Sequence, residues 1–168
     1  MNKIPDRSNQ WFEVQQHLGQ VHVARQSGDL PRPQPGQALL QIVACGICAA
    51  DIRVVSGDKA SSGESDRYTV LGHEGVGRII AVNEDAARFQ PGDYVVILPH
   101  VHITTDHCDG PRCLTSRINP VCTGSGHTLH MGWDIDGCFA DFVLVPTSNM
   151  VHVAPKHLHR ASEQAPGL

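Results

Sequence analysis

Aromatic residues are scarce in this chain of 168 residues, since Phe, Trp and Tyr together make up 5%. Basic residues are also outnumbered, with 13 Lys and Arg against 17 Asp and Glu, which gives a formal net charge of −4. This balance excludes a protein that binds nucleic acid mainly through its phosphates. No apolar run approaches the ~20 residues needed to span a bilayer, and the first seven residues lack the apolar stretch of a secretory signal. We therefore expect a cytoplasmic protein with no membrane partner.

Cysteine and histidine are plentiful instead, with 6 Cys and 11 His. In a reducing cytosol such cysteines seldom form a disulfide framework. Together with histidines they more often indicate metal binding, catalysis or inert buried thiols. Apolar residues make up 40% of the chain, which is enough to form the core of one ordinary domain.

Short strand-like runs separated by Gly and Pro turns predict a mainly β fold, either a barrel or a sandwich. Such runs cover residues 38–45, 75–82, 94–98 and 139–145. Helical periodicity is weak except for one or two turns after Cys48.

Four stretches fall outside the strand pattern. Residues 1–10 are polar and are expected to be a flexible N-terminus, and the small polar residues 58–66 predict a surface loop. Residues 100–130 are poor in strand signals and rich in Cys and His, which for so long a segment indicates a metal or a function. Residues 156–168 are typical of the start of a linker.

Two short motifs carry the chemistry. Residues 45–51 read Cys-Gly-Ile-Cys-Ala-Ala-Asp, and residues 72–77 read Gly-His-Glu-Gly-Val-Gly. A Cys-x-x-Cys pair alone indicates either a redox pair or half of a zinc site. Each of the two motifs alone is a weak signal. The signal becomes specific when both occur in the same chain, in this order, before Gly-Asp-Tyr-Val-Val at 92–96 and Gly-Cys-Phe-Ala-Asp-Phe at 137–142.

These motifs together resemble the N-terminal catalytic domain of the zinc-dependent medium-chain alcohol dehydrogenases, in particular the sorbitol and threonine dehydrogenase branches. The resemblance covers roughly residues 20–155. It implies a GroES-like β-barrel with few short helices, which as a domain would extend over residues 11–155 and include the Cys/His-rich lobe at 100–130.

The resemblance also implies a catalytic zinc site. Cys48 and His73 would be zinc ligands, Glu74 a second-shell or exchanging ligand, and Asp51 the carboxylate that orients the His73 ring. Each residue also has a structural reading. Cys48 could be a small buried apolar residue, His73 a loop histidine bonded to backbone, Glu74 a partner of Arg53, and Asp51 a charge at a helix N-terminus.

The chain departs from the family at two positions of the usual proton path. Ala50 stands where many members have Ser or Thr, and Arg53 where some have His. A proton is then expected to leave through water or Glu74. Cys45 is expected to end a buried strand, and Cys138 to lie inert within a strand.

The lobe resembles the part of the family that holds a structural zinc on four cysteines, although only three cysteines are present here. Its candidate ligands are Cys108, Cys113 and Cys122, with His107, His102 or Asp109 as the fourth. The alternative is a metal-free loop with spare thiols. His127 and His130 are expected at the surface or at the mouth of the substrate site.

The reaction implied is the oxidation of a secondary alcohol or polyol carbon to a ketone, with Zn²⁺ and either NAD or NADP. No Gly-x-Gly-x-x-Gly follows a strand anywhere in the chain, so NAD(P) is expected to bind through a separate Rossmann domain, and the chain by itself is expected to be inactive. The alternatives are a stand-alone zinc-binding or interaction module and a zinc-free relative of the quinone-reductase kind. The substrate that the resemblance implies is a small alcohol or polyol. The sequence does not decide whether the chain forms a homo-oligomer.

Overall fold

A computed structural model describes residues 7–17, 20–57, 67–83, 88–102 and 128–154. These residues are mostly strands, which confirms the mainly β class. The helical elements in this part of the chain are α1 (Ala49–Val55) and a 3-10 turn (Thr147–Asn149). The strands are β1 (Ser8–His17), β2 (Gln20–Asp29), β3 (Gln37–Gly46), β4 (Arg67–Val70), β5 (Glu74–Asn83), β6 (Tyr94–Ile97), β7 (His100–His102), β8 (Thr128–His130), β9 (Phe142–Pro146) and β10 (Met150–His152).

Antiparallel pairing joins the described strands into three sheets. The largest has the order β10-β6-β5-β3-β9, the second β2-β1-β4, and β7 pairs with β8. A bridge between Trp11 and Ala140 and a bond from the Phe12 N–H to the Phe139 carbonyl (2.9 Å) connect β1 to the segment before β9. Within the described ranges these sheets do not close into one barrel, so the mainly β class is confirmed and the closed barrel stays a prediction.

The main core lies on one face of the five-stranded sheet. It is built mainly from aliphatic residues, as the low aromatic content requires, and β7, β8 and the segment after them cover it. Its buried members include Leu40, Ile79, Val95, Val101 and Met131. The β3–β5 ladder therefore forms the rigid support on which the functional residues are placed.

The first residues of β1 differ from the flexible N-terminus predicted for residues 1–10. Residues 8–10 already belong to the strand, and Asn9 is buried. Its side-chain amide donates to the Phe142 carbonyl, and its Oδ1 accepts from the Phe142 N–H, both at 2.9 Å. These two bonds satisfy a buried polar side chain and fix the start of the strand. Residues 1–6 lie outside the described residues.

Two further predictions concern the second half of the chain. The sequence predicts Cys138 within a strand, but it lies in the irregular segment before β9. The two ends of the lobe at 100–130 pair with each other as β7 and β8. The remaining lobe residues, including Cys108, Cys113, Cys122, His107 and Asp109, lie outside the described residues, as do the loop at 58–66 and the linker at 156–168.

Within the described part of the chain, no helix has the length and apolar character needed to cross a membrane.

Candidate metal centre

Cys48 is fixed in place because it is the N-cap residue of α1. Its backbone is extended (φ −105°, ψ 174°), and its Sγ accepts from the Ala50 N–H at 3.2 Å. In return, the Cys48 N–H donates to Oδ2 of Asp51 at 2.9 Å. A thiol thus takes the place that Ser or Thr usually occupies at a helix start. The one or two helical turns predicted after Cys48 are confirmed as α1.

His73 lies in the short connection between β4 and β5. The residue before it, Gly72, has φ +90°, a backbone conformation that other residues rarely adopt. A Cβ on Gly72 would lie 2.6 Å from the Phe139 ring and 2.9 Å from Cys45 Sγ. Only glycine fits this turn, and the turn sets the direction in which His73 leaves the sheet.

Asp51 connects these two segments. Its side chain is buried, its Oδ1 accepts from the Gly72 N–H at 3.4 Å, and the same oxygen lies 3.8 Å from Nδ1 of His73. The carboxylate is therefore both a cap of α1 and a neighbour of the imidazole. The sequence suggests two roles for Asp51, a carboxylate beside the His73 ring and a charge at a helix N-terminus. The two are compatible, since Oδ2 bonds to the start of α1 while Oδ1 faces Gly72 and His73.

The side chains of Cys48, His73 and Glu74 converge on one point. Cys48 Sγ lies 3.3 Å from Nε2 of His73, and one donor atom of each of the three residues lies within 4.8 Å of the other two. In a tetrahedral zinc site, the usual bond lengths place a sulfur and a nitrogen ligand about 3.5 Å apart. The donor set of sulfur, nitrogen and oxygen thus fits Zn²⁺ in type and in spacing.

Glu74 reaches this point because of the strand register. It is the first residue of β5 and pairs with Gly46, the last residue of β3. A Cβ on Gly46 would overlap Oε2 of Glu74. The missing side chain at Gly46 therefore leaves the space that the exposed Glu74 carboxylate occupies.

A cavity of about 380 Å³ lies next to the metal-donor cluster. Ala50, Asp51 and His73 line one side. His130 lines it as well and is exposed, so it lies at the surface, one of the two places expected for it, and its Nδ1 lies 3.3 Å from a carboxylate oxygen of Asp134. The other lining residues belong to no motif and could not be predicted from the sequence; they are Val54, Leu71, Pro99, His100, Met131, Gly132 and Trp133.

Cys45 and Cys138 lie apart from the donor cluster and contact each other. The Cys138 thiol donates to Cys45, and this bond, with a further bond from the Glu74 backbone, holds the pKa of Cys45 below its ordinary value despite partial burial. The same thiol pair and burial raise the pKa of Cys138. The Cys-x-x-Cys motif is thus split, since Cys48 faces His73 whereas Cys45 faces Cys138.

The fold and the site together define a class of protein. It is a mainly β domain that carries a half-open metal site, with one sulfur, one nitrogen and one oxygen donor, beside the ends of two paired strands. Residues 34–156 match the alcohol dehydrogenase GroES-like domain. The chain therefore belongs to this family, and the resemblance drawn from the motifs is confirmed.

Similar proteins include the L-threonine 3-dehydrogenases of Thermococcus kodakarensis (30% identical; 72% of this chain, 32% of the relative) and Bacillus licheniformis (31%; 72% and 33%). Glucose dehydrogenase from Haloferax mediterranei, solved in complex with NADP, Zn and gluconolactone, shares the fold with a TM-score of 0.62 at 21% identity, over 90% of this chain and 40% of its own. The chain spans about a third of the length of the curated relatives it matches.

Proposed function

We propose that this domain is the zinc-binding catalytic half of an NAD(P)-dependent dehydrogenase that oxidises a secondary alcohol or polyol carbon to a ketone. The convergence of Cys48, His73 and Glu74 within 4.8 Å carries this proposal. Support comes from the family itself and from relatives that are L-threonine 3-dehydrogenases. A cytoplasmic location belongs to the same proposal.

Cys48 and His73 would hold the zinc, and Glu74 would complete or exchange in its coordination. Cys48 and His73 are half-buried and Glu74 is exposed, so the cluster is open on one side, as a catalytic zinc site requires for its substrate. Bound zinc would supply a Lewis acid that polarises the substrate oxygen. Asp51 would act as a positioning residue, since its buried carboxylate faces the His73 nitrogen that the metal does not use.

The cavity beside the cluster would receive the substrate. Ala50 lines this cavity but has no exchangeable proton, so its side chain cannot pass the alcohol proton outward. We infer that the proton leaves through water in the cavity or through the Glu74 carboxylate. Residues 11–155 would form the domain, the lobe at 100–130 would hold a second, structural zinc, and NAD or NADP would bind to a dinucleotide-binding domain.

The first experiment counts zinc in the purified chain and in its Cys48→Ala and His73→Ala variants by elemental analysis. Each variant is expected to lose one zinc per chain, since two remaining donors bind zinc weakly. His152→Ala is the matched control, because His152 lies on the edge strand β10, separated from β5 by β6, and is stacked on Phe89. An unchanged zinc content in both cluster variants would refute the site.

A second experiment separates catalysis from simple zinc binding. Fusing the chain to the part of the Thermococcus kodakarensis relative that it does not match is expected to give metal-dependent reduction of NAD(P)⁺ by secondary alcohols, and Cys48→Ala is expected to abolish it. Zinc binding without turnover in the fusion would favour the alternative of a zinc-binding or interaction module. Exposed apolar side chains near the site, such as Ile47 and Ile52, would in that case form the surface that contacts a partner.

A further inference from the structure

We propose that Cys45 and Cys138 are a site of oxidative modification, at which a peroxide converts the two thiols into an intramolecular disulfide. The site lies beside the metal-donor cluster but shares no side chain with it. It does not depend on the proposed dehydrogenase function, because it requires only the packing of β3 against the segment before β9.

Two glycines create the space in which the thiols meet. A Cβ on Gly72 would lie 2.9 Å from Cys45 Sγ, and a Cβ on Gly75 would lie 2.5 Å from Cys138 Sγ. Gly75 is also the residue that pairs with Cys45 across the β3–β5 ladder. The sulfur of Cys138 therefore lies over the backbone position opposite Cys45, and both cysteines pack in the same apolar cluster.

The backbone around the pair is held firmly. The Cys138 N–H donates to the Gly72 carbonyl at 2.8 Å, and the Phe139 N–H donates to the Leu71 carbonyl at 2.9 Å. These bonds keep the segment that carries Cys138 against the connection before β5. Formation of the disulfide then requires the two sulfurs to approach to ~2.05 Å.

A small oxidant can reach the pair from solvent. Both cysteines line a cavity of about 680 Å³, which is separate from the cavity beside His73 and is bordered by exposed residues such as Val43 and Ile47. Cys45 is half-buried whereas Cys138 is buried. We infer that Cys45 reacts first and that Cys138 resolves the product.

The chemistry balances with hydrogen peroxide as the oxidant. The Cys45 sulfur attacks one peroxide oxygen, the O–O bond breaks, and a sulfenic acid and one water form. The Cys138 sulfur then attacks the sulfenic sulfur, the S–O bond breaks, and a second water leaves. Two thiols and one peroxide become one disulfide and two waters, so two electrons pass from sulfur to oxygen.

The sequence motif suggests a different pair, Cys45 with Cys48. The structure disfavours that pair, since Cys48 Sγ is directed to His73 Nε2 at 3.3 Å and accepts from the Ala50 N–H at 3.2 Å. Cys48 also begins a helix, beyond the end of the strand that carries Cys45. The contact with Cys138 therefore decides the partner.

The experiment treats the purified zinc-loaded chain with hydrogen peroxide, alkylates remaining thiols, digests the protein and maps linked peptides by mass spectrometry. We expect a Cys45–Cys138 peptide that dithiothreitol separates. It should be absent in Cys138→Ser and should persist in Cys48→Ser, which is the control for the motif pair. Circular dichroism of each variant checks that it folds.

A Cys45–Cys48 linkage in the parent chain would overturn the proposal, as would a linkage of Cys45 to a lobe cysteine. Cys138 recovered as a free thiol after Cys45 has been oxidised would do the same. Zinc content, measured in parallel, is expected to stay unchanged in Cys138→Ser. If the Cys45–Cys138 peptide is not found but the chain binds zinc through Cys48 and His73, only the proposed disulfide is refuted. If the peptide is found but zinc is not bound there, only the metal centre is refuted.

Discussion

The two ends of the β3–β5 ladder differ in what covers them. At one end, residues 37–41 of β3 also pair with β9, and residues 37–40 are buried. Beyond Gln41 the ladder with β9 ends, and β3 continues half-buried or exposed, with Val43 58% exposed. The metal donors gather at this uncovered end. The same pair of strands therefore supplies two kinds of environment. It forms part of a closed core where β9 pairs with β3, and it supports an open site beyond the end of that pairing.

This difference has a physical basis. A core gains stability by excluding water from apolar surface, whereas a catalytic metal needs an open position for its substrate. Placing both on one ladder gives the donors rigid support without enclosing them. The two ends should therefore respond differently to substitution, the covered end in stability and the uncovered end in metal affinity.

The largest effect is expected at the covered end. Leu40→Ala removes a fully buried side chain from the main core and should lower the free energy of unfolding by about 3 kcal/mol. Zinc content of the folded protein should stay unchanged. Urea denaturation followed by circular dichroism measures the first quantity. Leu98→Ala is the control, because Leu98 is 44% exposed and should change stability by less than about 1 kcal/mol. Equal costs at both positions would contradict the comparison.

A smaller effect is expected at the uncovered end. Asp51→Asn removes the charge that faces Nδ1 of His73 and should weaken zinc binding by about 10- to 100-fold. Competition with a chromophoric chelator measures the affinity. The matched control is Asp93→Asn, since Asp93 lies 3.9 Å from Nδ1 of His152 on the edge strand β10, almost the same separation as the 3.8 Å between Asp51 and His73. If both variants weakened binding alike, Asp51 would not be the positioning residue.

The smallest effect is expected from Gly46→Ala. The added methyl would displace the Glu74 carboxylate, which is exposed and free to move aside. Zinc affinity should fall by less than about tenfold, because Cys48 and His73 keep their positions. Gly28→Ala, remote from the cluster and packed near Trp11, serves as the reference. A loss as large as that of Cys48→Ala would show that Gly46 supports more than the Glu74 carboxylate.

Much of the candidate site could be predicted from the sequence. The order of Cys48, Asp51, His73 and Glu74 is specific to the family, and Gly72 beside His73 marks a turn that few other residues can form. The strand runs at 38–45 and 75–82 correspond to β3 and β5 within one or two residues at each end. These features are local, so a short stretch of chain is enough to reveal them.

Other features could not be predicted because they depend on contacts between distant segments. His100 lines the cavity beside His73, next to His130, its partner in the pairing of β7 with β8. Asn9 is buried by bonds to Phe142, which lies 133 residues later. A polar residue near the N-terminus carries no sign of such a partner, and this explains why the sequence predicts flexibility at residues 8–10.

The sequence by itself determined the β-rich class and the types of donor atom, because alternating apolar runs, turn residues and motif order are properties of neighbouring positions. The motif order also assigned Cys48 to the donor cluster, whereas only the tertiary structure decided the neighbour of Cys45. Cys45 lies next to the last residue of β3 and Cys48 is the N-cap of α1, so two sulfurs three residues apart face different neighbours. One meets His73 and the other meets Cys138, and only the packing of distant segments brings those partners into place.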